Sequence, residues 1–288
     1  MEPTPASFTT RTGAHGVREA GSLVDDDVVR AEDPAVVRGL LERHRCAPDI
    51  AQLGEIEYLD AMRAAVDPGF EAEGLLTFRI SPAFVKYGSP EALTQFYDDL
   101  ISRLEEIPGI ASAGGVTVLP LHGIGAMLAT RIDEFPPAED DFPPVFLVRR
   151  ATPGYFETMS IPLVEGRTFT ADDHNDRLGT LIMSATVKDR YWPDESALGK
   201  RIRTMGAAAR SVGVVGNVHA NGLDTPTDVY MYKPMLDSVR GGVGAMSMVV
   251  RSDAEPLSLV PAIRSMIGAI DPDLAISDVR SMEEVVAD

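Results

Sequence analysis

A chain of 288 residues is long for one domain and short for three, so two domains or one large one is the expectation. Its 26 basic and 44 acidic residues give a formal charge of −18. The basic residues form no run, which excludes a phosphate-tracking surface for nucleic acid and an anionic lipid surface alike. The single cysteine, Cys46, excludes an internal disulfide, while 44% apolar residues suffice for a core.

The first 33 residues mix Pro, Thr, Gly and charge, with Asp25, Asp26 and Asp27 together, and read as disordered. No basic n-region or apolar h-region marks a signal peptide. No stretch approaches the roughly 18 apolar residues of a membrane span. Two amphipathic helices are predicted next. One opens at Asp33-Pro34 and carries Val36, Val37, Leu40 and Leu41; the other covers about 50–66 with Leu53, Ile56, Leu59 and Met62 at spacing three. Glu55, Glu57, Asp60 and Arg63 keep the second out of a bilayer core. Asp67-Pro68-Gly69 ends it.

The stretch Leu75-Leu76-Thr77-Phe78-Arg79-Ile80 reads as a strand. A helix over 90–106 follows, with Leu93, Phe96, Tyr97, Leu100, Ile101 and Leu104 on one face. Ser89 can cap it and Pro90 suits its first turn. Pro108-Gly109 stops it, and 110–119 returns as a strand. The same order recurs late in the chain: a strand over 246–251, a helix over 256–270 with Val260, Ile263, Ile267 and Ile270 inward, a stop at Asp271-Pro272-Asp273, and a strand over 274–279. Pro261 is tolerable only if that helix starts near Leu259. Two strand–helix–strand units sharing one sheet make a split β-α-β, ferredoxin-like layer, so the expected fold class is α+β. Between them lie β-rich runs at 145–149, 180–183, 202–204, 211–217 and 229–232, with helical patterns at 153–159 and 185–191. These read as a smaller α+β lobe inserted into the first. A Pro-rich acidic linker, 135–144, leads in, and a glycine-rich one, 237–244, leads out. The expected division is a poorly ordered segment over 1–66, a discontinuous lobe over 67–134 plus 245–288, and an inserted lobe over 145–235.

Sites for chemistry are sparse. Gly199-Lys200 is followed by Arg201 and lacks the upstream glycine of a P-loop; Gly241-Gly242-Val243-Gly244 follows no strand-to-helix turn of dinucleotide type. No small-molecule cofactor is therefore expected. Asp172, Asp173, His174 and Asp176 are the densest group of metal-ligating types, and they read as a solvated turn. No Gly-x-Ser-x-Gly elbow is present. Cys46 reads as an inert or exposed thiol. His122 and His219 are candidates for a general base in a cryptic hydrolase, which requires both to converge in one polar pocket. Trp192, beside Tyr191, reads as a packing anchor, and Arg167 as a local partner of Glu165, Asp172 or Asp173.

The run Ala151-Thr152-Pro153-Gly154-Tyr155-Phe156 continuing to Gly166-Arg167-Thr168-Phe169 resembles the signature of the MacB-like periplasmic core domain of FtsX-type ABC transporter permeases. Asp173, Trp192-Pro193, Leu198-Gly199-Lys200-Arg201, Val212-Gly213-Val214-Val215-Gly216-Asn217, Val249-Val250-Arg251-Ser252 and Ile270-Asp271-Pro272-Asp273 continue it in order. Upstream, Asp67-Pro68-Gly69-Phe70 and Leu119-Pro120-Leu121 fit as well. The series resembles the duplicated-permease branch abundant in acidobacteria. The resemblance implies a discontinuous porter-like lobe with a smaller inserted lobe, and no catalysis. It implies a place on the periplasmic face of the inner membrane, with permease membrane helices and a separate ATPase as partners. The residues that carry it, Pro153, Tyr155, Phe156, Gly166, Arg167, Phe169, Trp192, Pro193, Gly199, Gly213 and Gly216, are expected to be structural. In the family a membrane helix precedes Asp67-Pro68-Gly69-Phe70 and a second follows the domain. Here the charged 52–63 pattern stands in the first place and the sequence stops at Asp288, so the chain reads as soluble as written. The alternatives are a stand-alone two-lobe protein that binds a small molecule, and the cryptic hydrolase.

Overall fold

Leu75–Ile80 (β1) buries Leu76, Phe78 and Ile80 on one face and Leu75 and Thr77 on the other, as suits a strand covered on both sides. The computed structural model describes residues 66–287 apart from 124, 140, 176–178, 205, 220–229 and 236–243. The two predicted amino-terminal helices, Cys46 and most of the 237–244 link lie outside the described residues. In the structure β1 pairs antiparallel with Met246–Ser252 (β10) and with Ile276–Ser281 (β11). β10 pairs antiparallel with Ile110–Val116 (β2), which gives the order β11-β1-β10-β2.

One face of this layer is covered by two helices, Pro90–Glu105 (α2) and Val260–Ile270 (α5). Leu93, Phe96, Tyr97, Leu100 and Leu104 of α2, with Ile263 and Ile267 of α5, bury against Leu76, Phe78, Ile80, Met248 and Val250. Each such burial contributes roughly 1.5–3 kcal/mol, more than helix propensity supplies per residue, so packing fixes both helices. The Ser89 hydroxyl accepts the Ala92 N–H at 3.1 Å as the cap of α2. Pro256–Leu259 form a 3-10 turn, and the α-helix starts at Val260, where the missing N–H of Pro261 costs no hydrogen bond. Val260 and Ile270 are only partly buried, at the margin of the covered face. The four-residue helix Phe84–Tyr87 (α1) is pinned to the end of α5: Lys86 pairs with Asp271 at 2.9 Å, and the Tyr87 hydroxyl donates to the same carboxylate.

Two strands differ from expectation in extent. β2 ends at Val116, where Thr117 turns its N–H to the Arg150 carbonyl. β11 starts at Ile276 because Leu274 is still held in the stop turn by the Asp271 carbonyl. Asp278, at φ 49°, sits in the bulge opposite Thr77 and Arg79. Ser281 and Glu284 then form a reciprocal capping box at the head of Met282–Ala287 (α6).

The remaining strands close on themselves. Val145–Ala151 (β4) meets the layer through the pair Val116↔Ala151. From β4 the pairing runs through Ala126–Ile132 (β3), Arg201–Thr204 (β7), Ala207–Val215 (β8), Thr180–Ser184 (β6) and Tyr230–Pro234 (β9), which returns to β4 in parallel. All six strands send side chains into one cluster: Ile132, Phe146 and Val148, Leu181 and Met183, Ile202, Ala209 and Val214, and Met231. Ala185–Tyr191 (α4) adds Val187, and Trp192 follows it in. β3 carries no strand signal in its sequence, yet it lies between β4 and β7, so 126–132 pairs with the middle strands rather than with the layer.

Opposite faces of β4, β6, β8 and β9 form a second cluster, in which Leu147, Ile182, Val215, Tyr230 and Tyr232 meet Leu75, Val116 and Val249 of the layer and Met282 of α6. This core lies between ring and layer. Among the described residues no helix is long and apolar enough to cross a membrane.

Candidate functional site

The 151–169 run occupies that junction. Thr152 and Gly115 exchange two bonds: the Thr152 N–H donates to the Gly115 carbonyl, and its hydroxyl accepts the Gly115 N–H at 2.8 Å. Pro153-Gly154 turns the chain, with Gly154 at φ 81°. Tyr155–Thr158 (α3) then lies on β2, approaching so closely that a Cβ at Gly114 would sit 2.6 Å from the Tyr155 Cα. Tyr155 and Phe156 are buried, and Phe156 meets Phe169 at the far end of the run at a centroid distance of 6.0 Å. Leu163–Gly166 (β5) lies outside the ring against β8, and there Gly166 and Gly213 face backbone oxygens of the opposing strand, those of Val212 and Arg167. Gly216 donates its N–H to the Pro162 carbonyl, and Asn217 caps α4 by accepting the Thr186 N–H at 2.8 Å.

Arg167 takes the partner that its spacing allows. Its two terminal nitrogens hold both oxygens of Asp173 at 2.7 and 2.8 Å. Asp173 also accepts from the backbone N–H and the hydroxyl of Thr170. Burial pushes this carboxyl up, but Arg167 and the two Thr170 donors outweigh burial and hold it below its ordinary value. Arg167 is half exposed while Asp173 is buried. Replacing Arg167 with Met is therefore expected to cost about 2 kcal/mol, between the value of a surface pair and that of a buried one. The folded carboxyl titrates below the unfolded one, so the pair's contribution is full above about pH 4 and is lost as pH falls through the folded value. Urea unfolding of both proteins should show the gap shrinking as pH falls below about 4. A gap unchanged at the acid end would contradict the assignment.

Trp192 and Pro193 form the second signature node. The Trp192 indole N–H donates to Glu134 at 2.8 Å, and Lys200 donates to the same carboxylate oxygen at 2.9 Å. The Lys200 ammonium sits 5.7 Å from the indole ring centroid, and the Pro193 carbonyl accepts from Lys188. Gly199, at φ 75°, lets the chain turn so that its N–H reaches the Ser211 carbonyl. Tyr155, Phe156, Phe169 and Trp192 are thus buried, Gly166, Gly213 and Gly216 stand where the chain approaches closely, and Arg167 is paired with Asp173.

Reactive groupings are few. His122 and His219 lie on adjoining loops, since the Leu121 N–H donates to the His219 carbonyl at 3.1 Å. Of the Asp172, Asp173, His174 and Asp176 group, Asp173 is committed to Arg167 and Asp176 lies outside the described residues. No three metal-ligating side chains come together among the described residues. A cleft of about 490 Å³ is lined by Glu71, Glu73, Asp253, Glu255, Glu283 and Arg251. Its Arg251 is spent on structure, donating to the carbonyls of Thr158, Glu73 and Glu71. Sequence reasoning passed over Arg149, which is completely buried. The hint was alternation: Arg149 shares a strand face with Leu147 and Ala151.

The family profile for the MacB-like periplasmic core domain matches residues 58–266. Among solved structures, the chain is similar to the periplasmic region of MacB from Actinobacillus actinomycetemcomitans, at 14% identity and a TM-score of 0.48, covering 75% of this chain and 92% of that one. It is also similar to the extracellular domain of the noncanonic ABC-type transporter YknZ from Gram-positive bacteria, at 17% identity and a TM-score of 0.45, covering 71% of this chain and 99% of that one. No curated protein matches it.

Proposed function

Because the chain belongs to the MacB-like periplasmic core domain family of ABC transporter permeases, we propose that it works as the non-catalytic extracytoplasmic part of such a transporter. In this reading it passes motion between permease membrane helices and a substrate or partner protein, outside the inner membrane. A separate ATPase supplies the energy. The observation that carries the reading is the family match over 58–266, in a chain whose signature aromatics Tyr155, Phe156, Phe169 and Trp192 are buried.

The topology supports the mechanical part. The order β11-β1-β10-β2, with α2 and α5 on one face, fits the split β-α-β arrangement of a porter-like lobe made from 67–116 and 246–287. The ring, opening at β3 rather than at residue 145, fits the inserted lobe. The chain enters the layer at β1 and leaves it at the adjacent β11, so displacement of the segments on either side loads the layer first. The load then reaches the ring through Val116↔Ala151 and the shared core. Close-packed interiors transmit strain rather than absorb it, which suits a lever.

The test is co-purification. The full chain, co-expressed with the FtsX-type permeases and ATPases of its own genome and extracted in detergent, is expected to co-elute with one permease–ATPase pair. Failure to associate with any of them would overturn the proposal.

A further inference from the structure

Arg149 heads the side chains that the fold buries completely. One terminal nitrogen, Nη2, donates to the Gly123 carbonyl and to the Tyr230 hydroxyl, each at 3.0 Å. The guanidinium also lies 4.5 Å from the Tyr230 ring centroid. Its Nε and Nη1 have no acceptor among the described residues. No carboxylate pairs with it there, and an arginine in a protein does not shed its proton to escape the charge. Two further buried hydroxyls without a partner, those of Tyr155 and Tyr232, belong to the same core. Tyr232 stands directly across from Arg149 in the β4–β9 register, and Tyr155 lies 6.4 Å from Tyr232 between ring centroids.

Buried charges are normally neutralised, because an isolated ion in a low-dielectric interior is strongly disfavoured. Here a permanent cation shares its core with two unpartnered phenol hydroxyls, and no anion among the described residues faces it. The geometry points to a small monovalent anion of halide size, bound beside Nε and Nη1 of Arg149 in the core between ring and layer. The size follows from burial: Arg149, Tyr155, Tyr230 and Tyr232 are all fully buried, which favours a small ion over a partner's carboxylate or a large oxyanion. A halide is satisfied by donors alone, and the site offers it guanidinium and phenol hydrogens together. The site stands two residues from Ala151, at the pair that joins ring to layer, so occupancy would stiffen that junction.

The test is thermal unfolding of the full chain in sodium chloride or bromide against sodium gluconate at equal ionic strength. The melting temperature is expected to rise saturably with halide alone, by roughly 5–10 °C at a hundredfold excess over Kd. Arg149→Met, which keeps the volume and removes the charge, is expected to melt at the same temperature in all three salts. If that variant does not fold, the wild-type titration and a crystal grown in bromide decide the matter, with an anomalous peak expected beside the Arg149 guanidinium. Superimposable wild-type melts in halide and gluconate, stabilisation by phosphate but not by halide, or a bromide crystal with no peak at Arg149 would each overturn the proposal.

Discussion

Phe156→Ala is expected to lower the free energy of unfolding by about 4 kcal/mol, among the costliest single truncations in the chain. The ring is 1% exposed. It meets Tyr232 edge-on at a centroid distance of 4.9 Å, Tyr155 at 5.3 Å and Phe169 at 6.0 Å. Its loss removes the transfer energy of a buried aromatic and leaves a cavity that the neighbours cannot close. Tyr232 is fixed by β9, and Tyr155 is fixed by the close approach of its backbone to Gly114. Phe142→Ala is the control: that ring is 96% exposed, and its removal should change stability by less than about 0.5 kcal/mol. Urea unfolding measures both. A cost near 1 kcal/mol for Phe156→Ala would mean that the junction relaxes freely and could not carry load between layer and ring.

The layer was legible because each of its helices is announced twice, once by an apolar stripe and once by punctuation at the ends. α2 has Ser89-Pro90 before it and Pro108-Gly109 after it, and its buried side chains are those on the predicted face. The ring was not legible as a ring. Its closing contact, β4 with β9, joins residues some 80 positions apart in parallel, and nothing local records such a pairing. β3 was missed for a different reason. Ala126-Met127-Leu128-Ala129 favours helix by propensity, and pairing of these residues with β4, continued by 130–132 with β7, overrides it. The signature motifs were legible as a series, but their purpose was not. That Arg167 pairs with Asp173 rather than Glu165 depends on the 3-10 turn at 171–175 bringing Asp173 round, and Glu165 is instead held by Ser196 and Ala197.

Gly213→Ala should cost about 3 kcal/mol, for a reason that the backbone supplies alone. A Cβ there would overlap the Arg167 carbonyl oxygen on β5's exit, and one at Gly166 would overlap the Val212 carbonyl oxygen. Between the two glycines runs the Arg167 N–H to Val212 carbonyl bond, at 3.1 Å. An added methyl must therefore stretch that bond or lift β5 off β8, and the obstacle is main chain that cannot swing aside. Gly199→Ala separates this steric cost from conformational cost. Gly199 has φ 75° and nothing within 4 Å of its would-be Cβ, so alanine there should cost only the left-handed backbone penalty, about 1 kcal/mol. The double variant Gly166→Ala/Gly213→Ala should fall short of the summed single costs by about 1 kcal/mol or more, because the second methyl enters a gap that the first has opened. Strictly additive costs, or a Gly213→Ala variant no worse than Gly199→Ala, would show that β5 and β8 do not approach as closely as the two glycines require.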